Sequence, residues 1–307
     1  MDLLAATADG LYRVGEGGAP ERLADGDVIT VAVEQGDDTD GGAVVWAVSG
    51  DTTLLRGTPH AGFAPVATSE RALRCLLPLP GGVLAGTAEA GLVRFDGERL
   101  DAVAGFAHVP GRDGWYTPWG GPPDTRSLAA DADGVWYAGV HVGGVPRSTD
   151  EGRTWAPTID VDADVHEVAT ADGLMVAAAA YGLAVSDDGG ATWAWRTDGL
   201  HARYARAVAV ADATVLVSVS DGPDGRQAAL YRGGLGPDGA LTRCGEGLPE
   251  WFTGNVDTGC LAAVGASVGL ADGGTIYRSA DAGRTWEVLA EGLPAVRWLA
   301  APTAGVR

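Results

Sequence analysis

The sequence predicts an all-β chain: a seven-bladed β-propeller of four-stranded antiparallel blades, forming a single domain across residues 1–307. Three observations predict it. An eight-residue turn-like segment recurs three times. Short Val- and Ala-rich runs, split by Asp-Gly and Gly turns, recur about every 45 residues, which is propeller-blade length. The chain also opens on a second-strand segment and closes on a first-strand segment that lacks a partner.

Taken in chain order, "DLLAATADGLYRV" reads as the opening second-strand segment. First strands begin near Val28 ("VITVAVE"), Arg71 ("RALRCLLPL"), Arg126 ("RSLAADA"), Val165 ("VHEVATA"), Tyr204 ("YARAVAVA"), Val256 ("VDTGCLAAV") and Val296 ("VRWLAAP"). The matching second strands are "AVVWAVS", "GVLAGTA", "GVWYAGV", "GLMVAAA", "TVLVSVS" and "ASVGLAD". These runs are short, rich in Val and Ala and bounded by Asp-Gly and Gly turn formers, as strands are. The 48 glycines and 16 prolines are scattered, which supplies many turns and no low-complexity tail. The two loose ends fit one another: the strand near 296–302 pairs with the N-terminal strand, closes the ring and removes the open sheet edges.

The recurring segment is Ser148-Thr149-Asp150-Glu151-Gly152-Arg153-Thr154-Trp155, then Ser186 to Trp193, then Ser279 to Trp286. Each copy reads S-x-D-x-G-x-T-W. The starts lie 38 and then 93 residues apart, the second gap holding two blades. The box falls between the third and fourth strands of a blade. Asp150, Asp188 and Asp281 are expected to accept backbone N–H bonds inside the turn. The box glycines take positive φ, and Trp155, Trp193 and Trp286 pack between sheets. These residues are read as scaffold, not as a catalytic set.

The box resembles the Asp-box, or BNR repeat, of sialidases and many other propellers. The resemblance covers three explicit boxes and a strand rhythm running through nearly the whole chain. It implies the propeller fold and leaves activity open, because function lives in sites grafted onto folds. Sialidases also carry an Arg-Ile-Pro element near the N-terminus. None occurs here, and no Tyr-Glu nucleophile pair can be assigned, so a sialidase-type glycosidase stands as the least favoured alternative.

Composition narrows the classes. There are 41 acids against 21 bases, every base is arginine, and the net charge is −20. Such a surface repels a phosphate backbone, which speaks against nucleic acid. The lysine-free acidic composition fits a salt-loving or GC-rich source. Cys75, Cys244 and Cys260 are far apart and odd in number, so free buried thiols in a reducing compartment are expected. No run approaches the length needed to span a bilayer. The N-terminal segment also lacks the basic n-region of a signal peptide. A cytoplasmic protein without membrane insertion is expected.

Propeller sites gather over the central channel, on loops leading into first strands and loops joining second to third strands. Here those loops carry Trp115, Tyr116, Trp119, Asp124, Arg126, Arg206, Asn255 and Arg297, with Tyr181, as candidate ligand contacts. The long insertion at about 104–124 is stiff and aromatic, the content of a lid or an aromatic wall. Arg126, Arg206 and Arg297 suit a carboxylate or phosphate. His141, His166 and His201 sit on neighbouring blades and form a candidate ligand set for a divalent transition metal such as Zn²⁺, Fe²⁺ or Cu²⁺. The leading expectation is a binding propeller that takes a small molecule or a protein partner at its funnel. An alternative is a metal-dependent hydrolase, lyase or oxygenase with Glu167 or Asp257 as base. A third is an assembly factor that binds a protein by one face. No GxSxG elbow, P-loop or HExxH motif occurs.

Overall fold

The computed structural model describes residues 1–34 and 42–302. It forms seven antiparallel sheets. Blade 1 joins both ends of the chain, its strands running Val296–Ala300, Leu3–Thr7, Gly10–Val14 and Glu21–Asp25 from the axis outward. The innermost strands of blades 2 to 7 are Val28–Val33, Leu73–Leu79, Thr125–Ala130, Val165–Ala171, Tyr204–Ala211 and Leu261–Val264. Each innermost strand touches the next, and Leu261–Val264 returns to Val296–Ala300, so the ring of seven is closed. In blade 4 the outermost strand is reduced to the single bridge Arg147↔Ala156. The opening segment read as one strand is two, Leu3–Thr7 and Gly10–Val14, because Ala8-Asp9 turns the chain between them.

The second strand of each blade is buried nearly throughout, as in Leu3–Thr7, Gly82–Thr87 and Trp136–Val140. It is covered on both faces by neighbouring blades, which is why these stretches read as unbroken apolar runs. They turn to Ala and Gly where blades converge, as at Ala177, Ala178 and Ala179. The outermost strands, such as Gly62–Thr68, face water. Core clusters lie between blades, each shared by neighbouring sheets. All three cysteines are free and buried, and burial pushes the Cys75 and Cys244 thiols up to about 12 and Cys260 higher still.

The three S-x-D-x-G-x-T-W turns share one bonding pattern. In the first, the Ser148 hydroxyl donates to Asp150 Oδ1 at 2.9 Å and accepts the Gly152 N–H at 2.8 Å. Asp150 accepts the Thr154 N–H at 2.9 Å and its hydroxyl at 2.6 Å. The second and third copies repeat these bonds around Asp188 and Asp281. Trp155 and Trp286 donate their indole N–H to Gly152 and Gly283 at 3.1 Å. Gly283 sits at φ +79°, and a Cβ there would meet Leu216 Cδ2 at 2.5 Å, so the neighbouring blade as well as the turn requires glycine.

Candidate functional site

Strands alternate in direction, so the loops leading into innermost strands share one face with the second-to-third loops. The three S-x-D-x-G-x-T-W turns open on the other face. On the loop face, the innermost strands carry a common irregularity. A register shift falls at Ile29, Arg74, Arg126, His166, Arg206–Ala207 and Arg297, one near the start of each of six innermost strands. A bulge re-aims a side chain and ends regular pairing. Here it sets four arginines and one histidine at equivalent positions around the channel.

Three of the arginines are neutralised by acids on the rim. Arg74 holds Asp124 at 2.9 Å and Asp51 at 3.2 Å. Arg206 pairs with Asp257, and Arg297 with Asp27. Arg126 differs: among the described residues it makes no hydrogen bond and has no carboxylate within ion-pair distance. Burial and the like charge of Arg206 pull Arg126 below its ordinary pKa, opposed by Asp124 and Asp164. Burial also acts against Arg206, but Asp257 and Tyr204 hold it above its ordinary value.

Beside Arg126 lie two imidazoles and a carboxylate. His141 follows the second strand of blade 4, and Asp164 and His166 lead into blade 5. One ligand atom from each converges, all within 4.8 Å of one another. His141 Nε2 is 3.1 Å and His166 Nε2 is 3.6 Å from Asp164 Oδ1. His141 and His166 are buried, at 3% and 0% exposure. His166 Nδ1 lies 2.6 Å from the Ala205 carbonyl, to which it donates, so Nε2 is left as an acceptor. Burial drives His166 down to about 4 despite the nearby Asp164. Burial acts to raise Asp164, but its contacts with His141 and His166 hold it below the usual carboxylate range.

The long insertion covers this group. Its inner half is core: Phe106 is buried between Trp115 and Trp155, at centroid distances of 5.8 and 4.9 Å. Its outer half is open. Trp119, 72% exposed, lies over His141 at 5.0 Å, and Tyr116 donates to Asp162 at 3.1 Å. Next to it, Tyr181 and Trp195 meet edge to face at 6.0 Å. With Asp160, Asp162, Thr197 and Arg203 they line a cleft of about 440 Å³.

The structure does not bring every expected residue to this group. His201 is held apart: its ring nitrogens lie 2.7 Å from the Tyr231 hydroxyl and 2.9 Å from the Gln227 carbonyl, so both are occupied in blade 6. Glu167 points away from the mouth into the core. Its two oxygens accept the N–H groups of Val208 at 2.9 Å and Gly259 at 3.0 Å, and burial pushes it up to about 8 against those two bonds. A base spent in this way cannot reach a ligand. Asp257 is on the rim, paired with Arg206. Asn255 accepts from Ser220 at 2.7 Å and donates to Pro223 at 3.1 Å, pinning a loop. Asp164 escaped the sequence reading. Its signal was an acid directly ahead of an innermost strand, as in Asp27-Val28, Asp124-Thr125 and Asp164-Val165.

No known protein family matches the chain, and no curated protein matches it. Solved structures do resemble it. The WD40 repeats of RRP9 superpose with a TM-score of 0.63 at 14% identity, covering 99% of this chain and 90% of that one. The computationally designed Ika8 protein gives 0.59 at 16% identity, covering 95% and 83%. A chain of the nidogen–laminin complex gives 0.52 at 11% identity, covering 76% and 89%. At these identities the likeness is one of fold.

Proposed function

We propose that the protein is a BNR-type binding propeller that captures a small anionic ligand, a carboxylate in the first instance, at the mouth of its central channel. The unpaired Arg126 carries this reading. In a chain with nearly twice as many acids as bases, three of the four bulge arginines are matched by rim carboxylates, and this one is not. A partly desolvated guanidinium beside a second cation is costly unless an anion completes it. Its planar fork suits a carboxylate. Arg206 and Tyr204 stand alongside, and Trp119 offers an apolar wall.

Equilibrium dialysis with acetate, succinate and inorganic phosphate tests the reading. Binding by the wild type that weakens at least about tenfold in Arg126→Gln is the expected result, the size of one lost charged contact. Equal binding by the two proteins, or none by the wild type, overturns it.

The aromatic crescent favours a second reading, in which a protein partner docks by this face. Tyr116, Trp119, Tyr181 and Trp195 are four of the six large hydrophobic side chains exposed among the described residues. Aromatics of this kind anchor interfaces. Partner binding that is lost in Tyr181→Ser/Trp195→Ser but kept in Arg126→Gln would select this reading over the first.

A further inference from the structure

We propose that His141, Asp164 and His166 bind one divalent transition metal ion, with zinc the reference case. The proposal rests on these three side chains and holds whether or not Arg126 receives an anion.

Geometry comes first. A metal about 2.0–2.1 Å from each ligand, at tetrahedral angles, sets donor atoms about 3.3 Å apart. The two distances to Asp164 Oδ1, 3.1 and 3.6 Å, straddle that value. Three protein ligands leave a further coordination position open, the arrangement of reactive rather than purely structural zinc sites.

The tautomer agrees. A metal-bound imidazole ordinarily donates its other ring N–H to a carbonyl or carboxylate, which fixes the ring and raises its basicity. His166 does this to the Ala205 carbonyl at 2.6 Å. The bulge at His166 turns the ring into this position.

The third observation is an unmet need. His166 Nε2 and Asp164 Oδ1 are both shielded from solvent; among the described residues Nε2 has no hydrogen-bond partner, and Oδ1 has only the contact with His141 Nε2 at 3.1 Å. Two lone pairs thus face each other across 3.6 Å. Buried polar atoms without partners are rare and costly. A metal ion satisfies both acceptors and His141 Nε2 together.

The donor set selects the metal class. Two imidazoles and one carboxylate suit Zn²⁺, Ni²⁺, Co²⁺ or Fe²⁺, whereas Mg²⁺ and Ca²⁺ prefer oxygen ligands throughout.

The test uses the full chain stripped with chelator and titrated with Zn²⁺, and with Co²⁺ for its visible absorption. One equivalent of each is expected to bind, with imidazole-type Co²⁺ bands and a raised thermal midpoint. Affinity should fall at least about tenfold to a hundredfold in Asp164→Asn and in His166→Ala, and stay unchanged in His201→Ala. If His166→Ala does not fold, His141→Asn, on a second-to-third loop, decides in its place. Absence of stoichiometric binding, or binding that survives His141→Asn and Asp164→Asn, overturns the proposal.

Discussion

Glu167 shows how much one buried carboxyl can hold. It leaves the innermost strand of blade 5, and its two oxygens take backbone N–H groups from blades 6 and 7. Beside it, the Thr258 hydroxyl donates to the His166 carbonyl at 3.1 Å, so three blades are stitched together beneath the mouth. Both N–H groups would otherwise be buried donors without partners, a cost of about 1–3 kcal/mol each. Glu167→Gln keeps the volume but offers one acceptor and one N–H₂ donor. One of the two bonds must therefore fail, and the amide then faces a backbone donor. The expected loss is about 1–3 kcal/mol of unfolding free energy. It is read by urea denaturation at a pH above about 8, where the carboxyl is ionised, on protein free of added metal. A change smaller than about 0.5 kcal/mol, the scale of ordinary surface substitutions, would show that these bonds do not hold the blades together.

At the scale of the element, the repeated turn makes a prediction about acid. Its hydrogen bonds hold Asp150, Asp188 and Asp281 down to about 2, from an ordinary 3.8. For Asp150 the Thr154 hydroxyl and N–H lead; for Asp188 and Asp281 the Thr192 and Thr285 N–H groups do. A carboxylate whose pKa falls on folding binds fewer protons folded than unfolded. Its contribution is therefore complete above about 3.8 and is lost as the pH drops from there through about 2. The urea midpoint should fall across that window. In the triple variant Asp150→Asn/Asp188→Asn/Asp281→Asn it should start lower and fall less steeply. Parallel profiles for the two proteins would remove the turns from the acid response. These turns were legible in the sequence because every bond lies within eight residues. Innermost strands were legible for a related reason: six of the seven start within two residues of where the turn-bounded apolar runs place them. The exception, read from Val256, starts at Leu261 because the Cys260 N–H bonds back to the Asp257 carbonyl and keeps 257–260 in a turn. The site was less legible. His166 and His201 look alike in sequence, each close to the start of an innermost strand. A bulge and one carbonyl turn the first toward Asp164, while Tyr231 and Gln227 claim the second.

For the whole molecule the governing fact is closure, because every blade depends on two neighbours. The strand Val296–Ala300 pairs with Leu3–Thr7 through Leu4↔Ala300, Ala5↔Leu299 and Ala6↔Trp298, and it is also the channel-side neighbour of blades 2 and 7. Without it, the buried N-terminal strand would present an unpaired apolar edge, the geometry that invites association. Leu299 is 3% exposed in the cluster that joins blades 6, 7 and 1. Leu299→Ala should cost about 2–5 kcal/mol, the range for a truncated core leucine. Removing residues 296–302 should do something different in kind. The chain loses its single cooperative transition and associates in a concentration-dependent way, and a peptide spanning 294–302 added in trans restores the monomer. Calorimetry and size-exclusion chromatography read both effects. A truncated chain that stays monomeric with the wild-type midpoint would mean that the ring does not depend on its last strand.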